Sequence, residues 1–398
     1  MMPEELTIPP EVRKRLRWLR AHLREDLLPR WLLAAGPDGL LRCRLDRTWR
    51  PYGEPRATLV SQARLIYNFA VGWDITDDQA YLDAVERASL FFIRHFMDRA
   101  QGGCHWAVGL NGAVLDDRKD AYGHAFALFG LAHAARVLRD DRMLAAAQQV
   151  REAVADHLTD AQGGLIPSAT ADWEPLADTR SQNPVMHWFE ANLALAEATM
   201  GRQGIREAGR TARFVAGLLI AGRGPLPEVY DARWVPLPEA AGGRYDLGHH
   251  LEWAWLFCRG FQQGLDDTWL PHAHRLADLG LRMGWDEEQP GLFSPARPDG
   301  SIISRHKSRW EQCETARAML RLGLAHHRAD LLDSFCRVID SFRSRFLDPD
   351  HGGWYDRVEA DGSVPTTDKG SEWKVDYHVV GLCREACDWL RAAAADED

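Results

Sequence analysis

The apolar positions of this chain fall into twelve stretches of helical period, joined by connections that alternate between short and long. Leu16, Leu19, Leu23 and Leu27 recur at helical spacing with Arg and Glu between them, as do Leu331, Phe335, Ile339 and Phe342, so both stretches predict half-exposed outer helices. The stretch 247–263 is apolar on several faces (Leu247, Leu251, Trp253, Trp255, Leu256, Phe257, Phe261) and predicts an inner helix. On this basis helices are expected over 11–35, 56–72, 78–97, 118–139, 141–158, 181–200, 203–221, 247–263, 268–286, 309–325, 328–346 and 371–394.

The connections show how these helices pair. Polar breaks of a few residues, at Asp77-Asp78, Asp140-Asp141, Gly201-Arg202, Asp266-Asp267 and His326-His327, separate one pair from the next. Within each pair the link runs to roughly 20 residues, a length that in a compact fold is usually functional. Each long link carries a glycine turn: Gly36-Pro37-Asp38-Gly39, Gly102-Gly103-Cys104, Gly163-Gly164-Leu165, Gly222-Arg223-Gly224, Pro290-Gly291-Leu292 and Gly352-Gly353-Trp354. The turns recur every 60 to 67 residues, which leaves room for two helices per repeat. β-rich segments appear only inside these loops, for example Trp354 to Val358, and predict short hairpins. Neither end of the pattern reads as a polar capping repeat, so the pairs are expected to close into a ring. The fold class is therefore all-α: an (α/α)6 barrel of six helical hairpins, residues 1–398 as one domain, with long loops and short β-hairpins at one pole.

Composition adds exclusions. Of 398 residues, 45% are hydrophobic and 27% charged, as in globular proteins, and no apolar run approaches the ~20 residues of a membrane span. The start, Met1-Met2-Pro3-Glu4-Glu5, has no basic-then-apolar leader, and the seven Cys contain no CxxC pair, so a reduced cytoplasmic protein is expected. A net charge of −10 argues against nucleic acid as a partner. A homodimer is compatible with all of this.

The chemistry-bearing residues repeat with the turns. Arg64, Tyr122, His187, His249, Trp310 and His378 follow Gly39, Gly103, Gly164, Gly224, Gly291 and Gly353 by 19 to 25 residues, in the first turns of the second helix of each pair. In a closed ring these positions converge on one cavity. Any one of them alone reads as a satisfied core residue; three His at matching phase read as a site. His187-Trp188-Phe189-Glu190 and His249-His250-Leu251-Glu252 place a Glu at i+3, where it is expected to contact its His and fix the tautomer or raise the pKa. Three His could instead bind zinc, but no His-x-x-x-His or Cys pair holds an ion on one element, and no metal or cofactor is expected. Asn183, a turn before His187, could hold a hydroxyl, and Trp310, Trp373 and Tyr377 offer aromatic faces to a sugar ring. Glu314 is expected on the face of Trp310, its role open.

Five segments then resemble signature stretches of the N-acylglucosamine 2-epimerase superfamily: Gln62-Ala63-Arg64; Asp120-Ala121-Tyr122-Gly123-His124-Ala125-Phe126-Ala127-Leu128; Asn183-Pro184-Val185-Met186-His187-Trp188-Phe189-Glu190-Ala191; Gly248-His249-His250-Leu251-Glu252-Trp253; and Trp373-Lys374-Val375-Asp376-Tyr377-His378. The resemblance runs from about Arg56 to Glu385. It implies metal-independent proton transfer at sugar carbons 1 and 2, with His249 and His378 as acid/base pair, His187 assisting ring opening and Arg64 on the oxygens where charge develops. The doubled His249-His250 leaves two candidates for one role. The Met-His-x-x-Glu-Ala form resembles the isomerase branch, so D-mannose to D-fructose (or D-lyxose to D-xylulose) is expected first and 2-epimerisation second. Two other classes stay open: the same barrel serves glycoside hydrolases, for which Asp120 with Glu252 or Glu314 would supply the carboxylates, and non-catalytic sugar binders.

Overall fold

A computed structural model describes residues 7–33, 35–222 and 224–395. The reading of the first residues, Ala34 in the first helix and Arg223 in the fourth turn lie outside the described residues. Helix α1 (Pro10–His22) runs through a π turn (Leu23–Leu27) into α2 (Leu28–Leu33). Then follow α3 (Leu59–Thr76), α4 (Gln79–His95), α5 (Ala121–Leu138), α6 (Asp141–Ala153), α7 (Gln182–Thr199), α8 (Arg202–Gly222), α9 (Leu247–Gln262), α10 (Leu270–Gly284), α11 (Arg309–Ala325), α12 (Leu331–Arg345) and α13 (Tyr377–Ala395). With α1 and α2 taken as one interrupted helix, the twelve expected helices are present. Helices α3, α5, α7, α9, α11 and α13 form the inner ring of the (α/α)6 barrel, α13 packing back on α3, and the others lie outside.

Three inner helices start later than their apolar pattern suggests. Arg56–Thr58 and Lys119–Asp120 are extended and paired with neighbouring loops, and residues 371–376 form a turn ahead of α13. Short polar residues set the true starts. The hydroxyl of Thr58 accepts from Ser61 N at 3.1 Å, Asp120 Oδ1 from Gly123 N at 2.8 Å, and Ser181 Oγ from Asn183 N at 3.2 Å, each satisfying an orphan amide of a first turn. These caps place Arg64, Tyr122 and His187 in the opening turns of their helices.

The long loops do more than connect. Two contain a hairpin of their own, Ala107–Gly109 with Val114–Asp116 and Trp285–Asp286 with Gly291–Leu292. The remaining strand pairs run between neighbouring loops: Arg56–Thr58 with Ala107–Gly109, Lys119–Asp120 with Ser168–Ala169, Thr179–Ser181 with Val229–Asp231, and Lys307–Ser308 with Arg357–Val358. Single backbone bridges, Tyr245 with Ala296 and Leu45 with Gly370, complete the circuit. Every loop is thus hydrogen-bonded to the next, and the sixth to the first.

A recurring ion pair explains the glycine turns. Asp98 holds Lys119 at 2.6 Å, Asp160 holds Arg180 at 3.1 Å, Asp286 holds Lys307 at 2.5 Å and Asp348 holds Lys369 at 2.7 Å. In each the other carboxylate oxygen accepts amides of the turn, for instance Ala100 N and Gln101 N on Asp98. Folding the chain this tightly around a carboxylate requires left-handed backbone: Gly102 and Gly103 have φ of 78° and 67°, and Gly352 and Gly353 have 68° and 66°. No helix among the described residues is long and apolar enough to cross a membrane.

Candidate active site

The N-termini of the inner helices and the loops ahead of them surround a cavity of about 420 Å³. Its wall includes Arg64 from α3, Tyr122 from α5, Asn183 and His187 from α7, His249 and Glu252 from α9, Trp310 from α11, Trp373 from the last loop and His378 from α13. Residues as far apart as Arg64 and His378 therefore meet. The positive ends of the inner helices also point to this pole, which favours a developing anion in the cavity.

Each of the three site His is held through Nδ1 by a buried carboxylate. His187 Nδ1 donates to Glu190 Oε2 at 3.0 Å, His249 Nδ1 to Glu228 Oε2 at 2.8 Å, and His378 Nδ1 to Glu314 Oε1 at 2.8 Å. This fixes the rings and leaves each Nε2 for a substrate. Their charge states differ. Burial disfavours the cation of His249, but the carboxylates of Asp246 and Glu228 outweigh it and raise the pKa to about 10. His378 goes the other way: burial, then Arg64, His187 and Arg317, hold it well below its usual range. His187 is also lowered, by burial that its hydrogen bond to Glu190 only partly offsets. The cavity thus carries one imidazolium and two neutral imidazoles at neutral pH.

Arg64 lies against aromatic faces, 4.1 Å from the Phe126 centroid and 4.8 Å from that of Tyr377. Its Nη2 donates to Tyr122 Oη at 2.5 Å and Nη1 to the Trp373 carbonyl at 3.1 Å. Trp310 lies between the two acid/base candidates, its ring centroid 4.9 Å from His249 and 5.6 Å from His378.

Three expectations change. Glu252 does not contact His249: both its carboxylate oxygens lack a hydrogen-bond partner among the described residues, because the ring turns outward to Glu228 in the preceding loop. Burial and the neighbouring Glu314 push the Glu252 pKa well above the usual carboxylate range, so it faces the cavity as a neutral acid. Tyr377 offers no face to the cavity; it is buried and its hydroxyl donates to Glu190 Oε1, which places it beneath His187. Glu190 and Glu314 likewise stand behind the wall, each oriented on its His, and Arg317 Nη1 grips both oxygens of Glu314 at 2.9 Å.

His250 is separated from its neighbour by geometry. Its Nδ1 donates to the Asp246 carbonyl at 2.7 Å and its Nε2 accepts from Leu226 N at 3.0 Å, so both nitrogens serve the backbone. Glu228 and Asp246 are the functional neighbours the sequence did not reveal. Glu228 is 21 residues ahead of His249 on a loop, beyond any helical register, and accepts in addition from Gln182 Nε2 at 2.7 Å and Ser181 Oγ at 3.0 Å.

The model of the N-acylglucosamine 2-epimerase (GlcNAc 2-epimerase) family matches residues 39–382. The chain belongs to this family. It is an enzyme of the sugar isomerase and epimerase class. Among similar N-acylglucosamine 2-epimerase family proteins, the "D-mannose isomerase" of Marinomonas mediterranea is 24% identical over 92% of this chain and 96% of its own. The "Mannose-6-phosphate isomerase" of Rhizobium meliloti is 28% identical over 94% and 97%. The structure of cellobiose 2-epimerase from Spirochaeta thermophila superposes with a TM-score of 0.88 at 25% identity, covering 98% of this chain and 99% of that one.

For this family member a metal remains to be weighed. Three triads, His187–Glu190–Glu252, Glu228–Asp246–His249 and Glu252–Glu314–His378, bring possible ligand atoms within 4.8 Å of one another. In each, the His already gives Nδ1–H to a carboxylate of the same triad, so an ion chelated by that nitrogen would break the bond that orients the ring.

Proposed function

We propose that the protein is an aldose–ketose isomerase that interconverts D-mannose and D-fructose through an enediolate, without a metal. The observation that carries this reading is the opposite protonation of two His facing one cavity: His378 neutral, His249 cationic. Neutral His378 takes the C2 proton of the open-chain aldose through Nε2. The two oxygens of the resulting enediolate lie against Arg64 and the His249 imidazolium, which neutralise the developing charge; His249 gives its proton to O1 and takes the hydroxyl proton from O2 as the carbonyl shifts from C1 to C2. Return of the carbon-bound proton from His378 to C1 yields the ketose. His187, neutral and oriented by Glu190, assists ring opening, and Asn183 and protonated Glu252 bind hydroxyls.

The same asymmetry favours isomerisation over 2-epimerisation. A two-base epimerisation leaves His249 neutral and His378 cationic after each turnover. With His249 raised to about 10 and His378 held well below its ordinary range, that reversal runs against both shifts. A one-base shuttle on His378 avoids it. The relatives bearing isomerase names agree with this choice, whereas the likeness to a cellobiose 2-epimerase keeps epimerisation as the alternative.

The wall also suits a neutral sugar. Arg64, Arg244, Arg309 and Lys374 already donate to Tyr122, to the Gly242 carbonyl, to Asp356 and to the Trp354 and Asp368 carbonyls, and the carboxylates of Glu228, Asp246 and Asp356 share the wall with them. A phosphate dianion would meet more carboxylates than uncommitted cations.

The test is D-mannose in D2O. Fructose labelled at carbon 1 is the expected product; glucose deuterated at carbon 2 and formed before fructose would assign the protein to the epimerases instead.

A further inference from the structure

Asp376 stands directly ahead of α13, two residues before His378, with φ of 54°. A left-handed backbone is unfavourable for a residue with a Cβ, although Asp tolerates it better than most, and it persists only where the surroundings over-determine it. Here three other inner or outer helices do so. Asn68 of α3 donates to the Val375 carbonyl at 2.7 Å, and Trp31 of α2 donates through Nε1 to Asp376 Oδ2 at 2.9 Å. Arg309, the first residue of α11, forms an ion pair with the same carboxylate, with 5% and 1% of the two side chains exposed. The Asp376 carbonyl then accepts from Val380 N at 2.8 Å and opens α13.

The two ends of this ion pair sit at the starts of the helices that carry Glu314 and His378, whose contact is 2.8 Å. A pair this buried adds little net stability over apolar residues of the same size, because desolvating both charges offsets their attraction. What it does supply is a single permitted register. Arg309 belongs to none of the local patterns that mark the catalytic positions, whereas Asp376 lies in the stretch that ends at His378; the hydrogen bonds of both go to Trp31 and Asp356, not to the His378 ring or the Glu314 carboxylate.

We propose that the Arg309–Asp376 pair is a positioning device: it fixes α13 against α11 so that Glu314 holds the His378 ring with Nε2 aimed into the cavity. The proposal rests on the assignment of His378 as the base. Arg309 and Asp376 act through His378 and leave the reacting carbons to it.

The test uses the full chain with 15N-labelled histidine and the variants Asp376→Asn, Asp376→Gly and Arg309→Lys. Asn tolerates the left-handed backbone and still accepts from Trp31 but removes the charge; Gly removes backbone strain and carboxylate together; Lys retains the charge at α11. In the wild type the Nδ1–H of His378, assigned by its disappearance in His378→Gln, is expected as a slowly exchanging downfield proton resonance. It should be lost to exchange with water in both Asp376 variants and kept in Arg309→Lys, while the His187 resonance stays in all three. With D-mannose, Asp376→Asn should lower kcat about 10- to 100-fold with KM within about threefold, as displacement of a catalytic group does. Adding Glu314→Gln should then cost less than about threefold more. An unmoved His378 resonance in Asp376→Asn overturns the proposal, and so does a double variant whose losses multiply. Loss of the resonance in the variants of a protein that turns over no aldose supports the positioning role and sinks the assignment of His378 as base.

Discussion

The most telling single residue is Glu228, because with Asp246 it keeps His249 charged and, among the described residues, it alone holds the ring by a hydrogen bond. Removing it should show in two ways. The folded-state pKa of His249, about 10, lies above the ordinary 6.5, so its stabilising effect is complete below pH 6.5 and is lost as pH rises towards 10. The melting temperature of the wild type should therefore fall across that window, and Glu228→Gln should lower it overall while flattening the decline. In kinetics, the basic limb of kcat/KM moves to lower pH in Glu228→Gln, with a loss of about 100-fold or more if His249 is the acid. An unchanged basic limb would assign it to another group. With His378 as the proposed base, held well below its usual range, the acidic limb should follow it and the rate should persist well below pH 6.5. The triads make metal removal a residue-scale question too. Since each His nitrogen nearest a carboxylate is already a donor to it, exhaustive EDTA treatment should alter neither rate nor melting temperature; activity restored by one divalent cation would reassign the triads as ligands.

At the scale of the element, the repeat offers an internal control. His250 Nε2 accepts from Leu226 N in the fourth glycine loop, and His124 Nε2 does the same for Cys104 N in the second. In the first and fifth repeats a Gln holds the loop instead: Gln62 Oε1 accepts from Leu41 N at 2.9 Å and Gln312 Oε1 from Leu292 N at 2.7 Å. His250→Gln should therefore keep both stability and turnover, whereas His250→Ala leaves a buried amide unpaired and should cost about 1–3 kcal/mol in denaturant melts. His249→Gln should abolish turnover. If His250→Gln were the inactive one of the two, the roles of the neighbours would have to be exchanged. The same comparison shows what a sequence can carry. Helices, glycine turns and the convergence of Arg64, His187, His249 and His378 were legible because they repeat at fixed phase. The partner of His187 was legible because an i, i+3 Glu lies within reach on one helix. The identical spacing misled at Glu252, since a ring at a helix start can turn to a loop as readily as to the next turn, and Glu228 arrives there through strand pairing between loops. The start of α3 lies later than its pattern because apolar strand residues such as Ala57 continue the helical spacing.

Across the whole molecule, the bridge between Leu45 and Gly370 is set apart from its five counterparts by how much chain it spans. Val108 is 51 residues beyond its partner Ala57, whereas Gly370 is 325 beyond Leu45. Closing the longer span costs roughly 1.6 kcal/mol more in chain entropy, and every residue between must already be placed for the ends to meet. The joint is reinforced by Arg47 on Asp348 at 2.8 Å, Arg44 on Glu372 at 2.6 Å and Trp31 on Asp376. In native-state hydrogen exchange the amides of Leu45, Lys369 and Gly370 should accordingly open before those of Ala57 and Val108. Equal protection would show that the joint is no weaker than the rest. The consequence reaches into the order of events as the protein is made. His187 and His249 leave the ribosome well before the joint can form, but the proposed base, His378, is on the very hairpin that forms it. A chain that has built five hairpins and all their helical signal is, on the proposed mechanism, still without its proton acceptor. During refolding, activity should therefore return in step with protection of those three amides, later than the circular-dichroism signal: the ring is silent until it is shut.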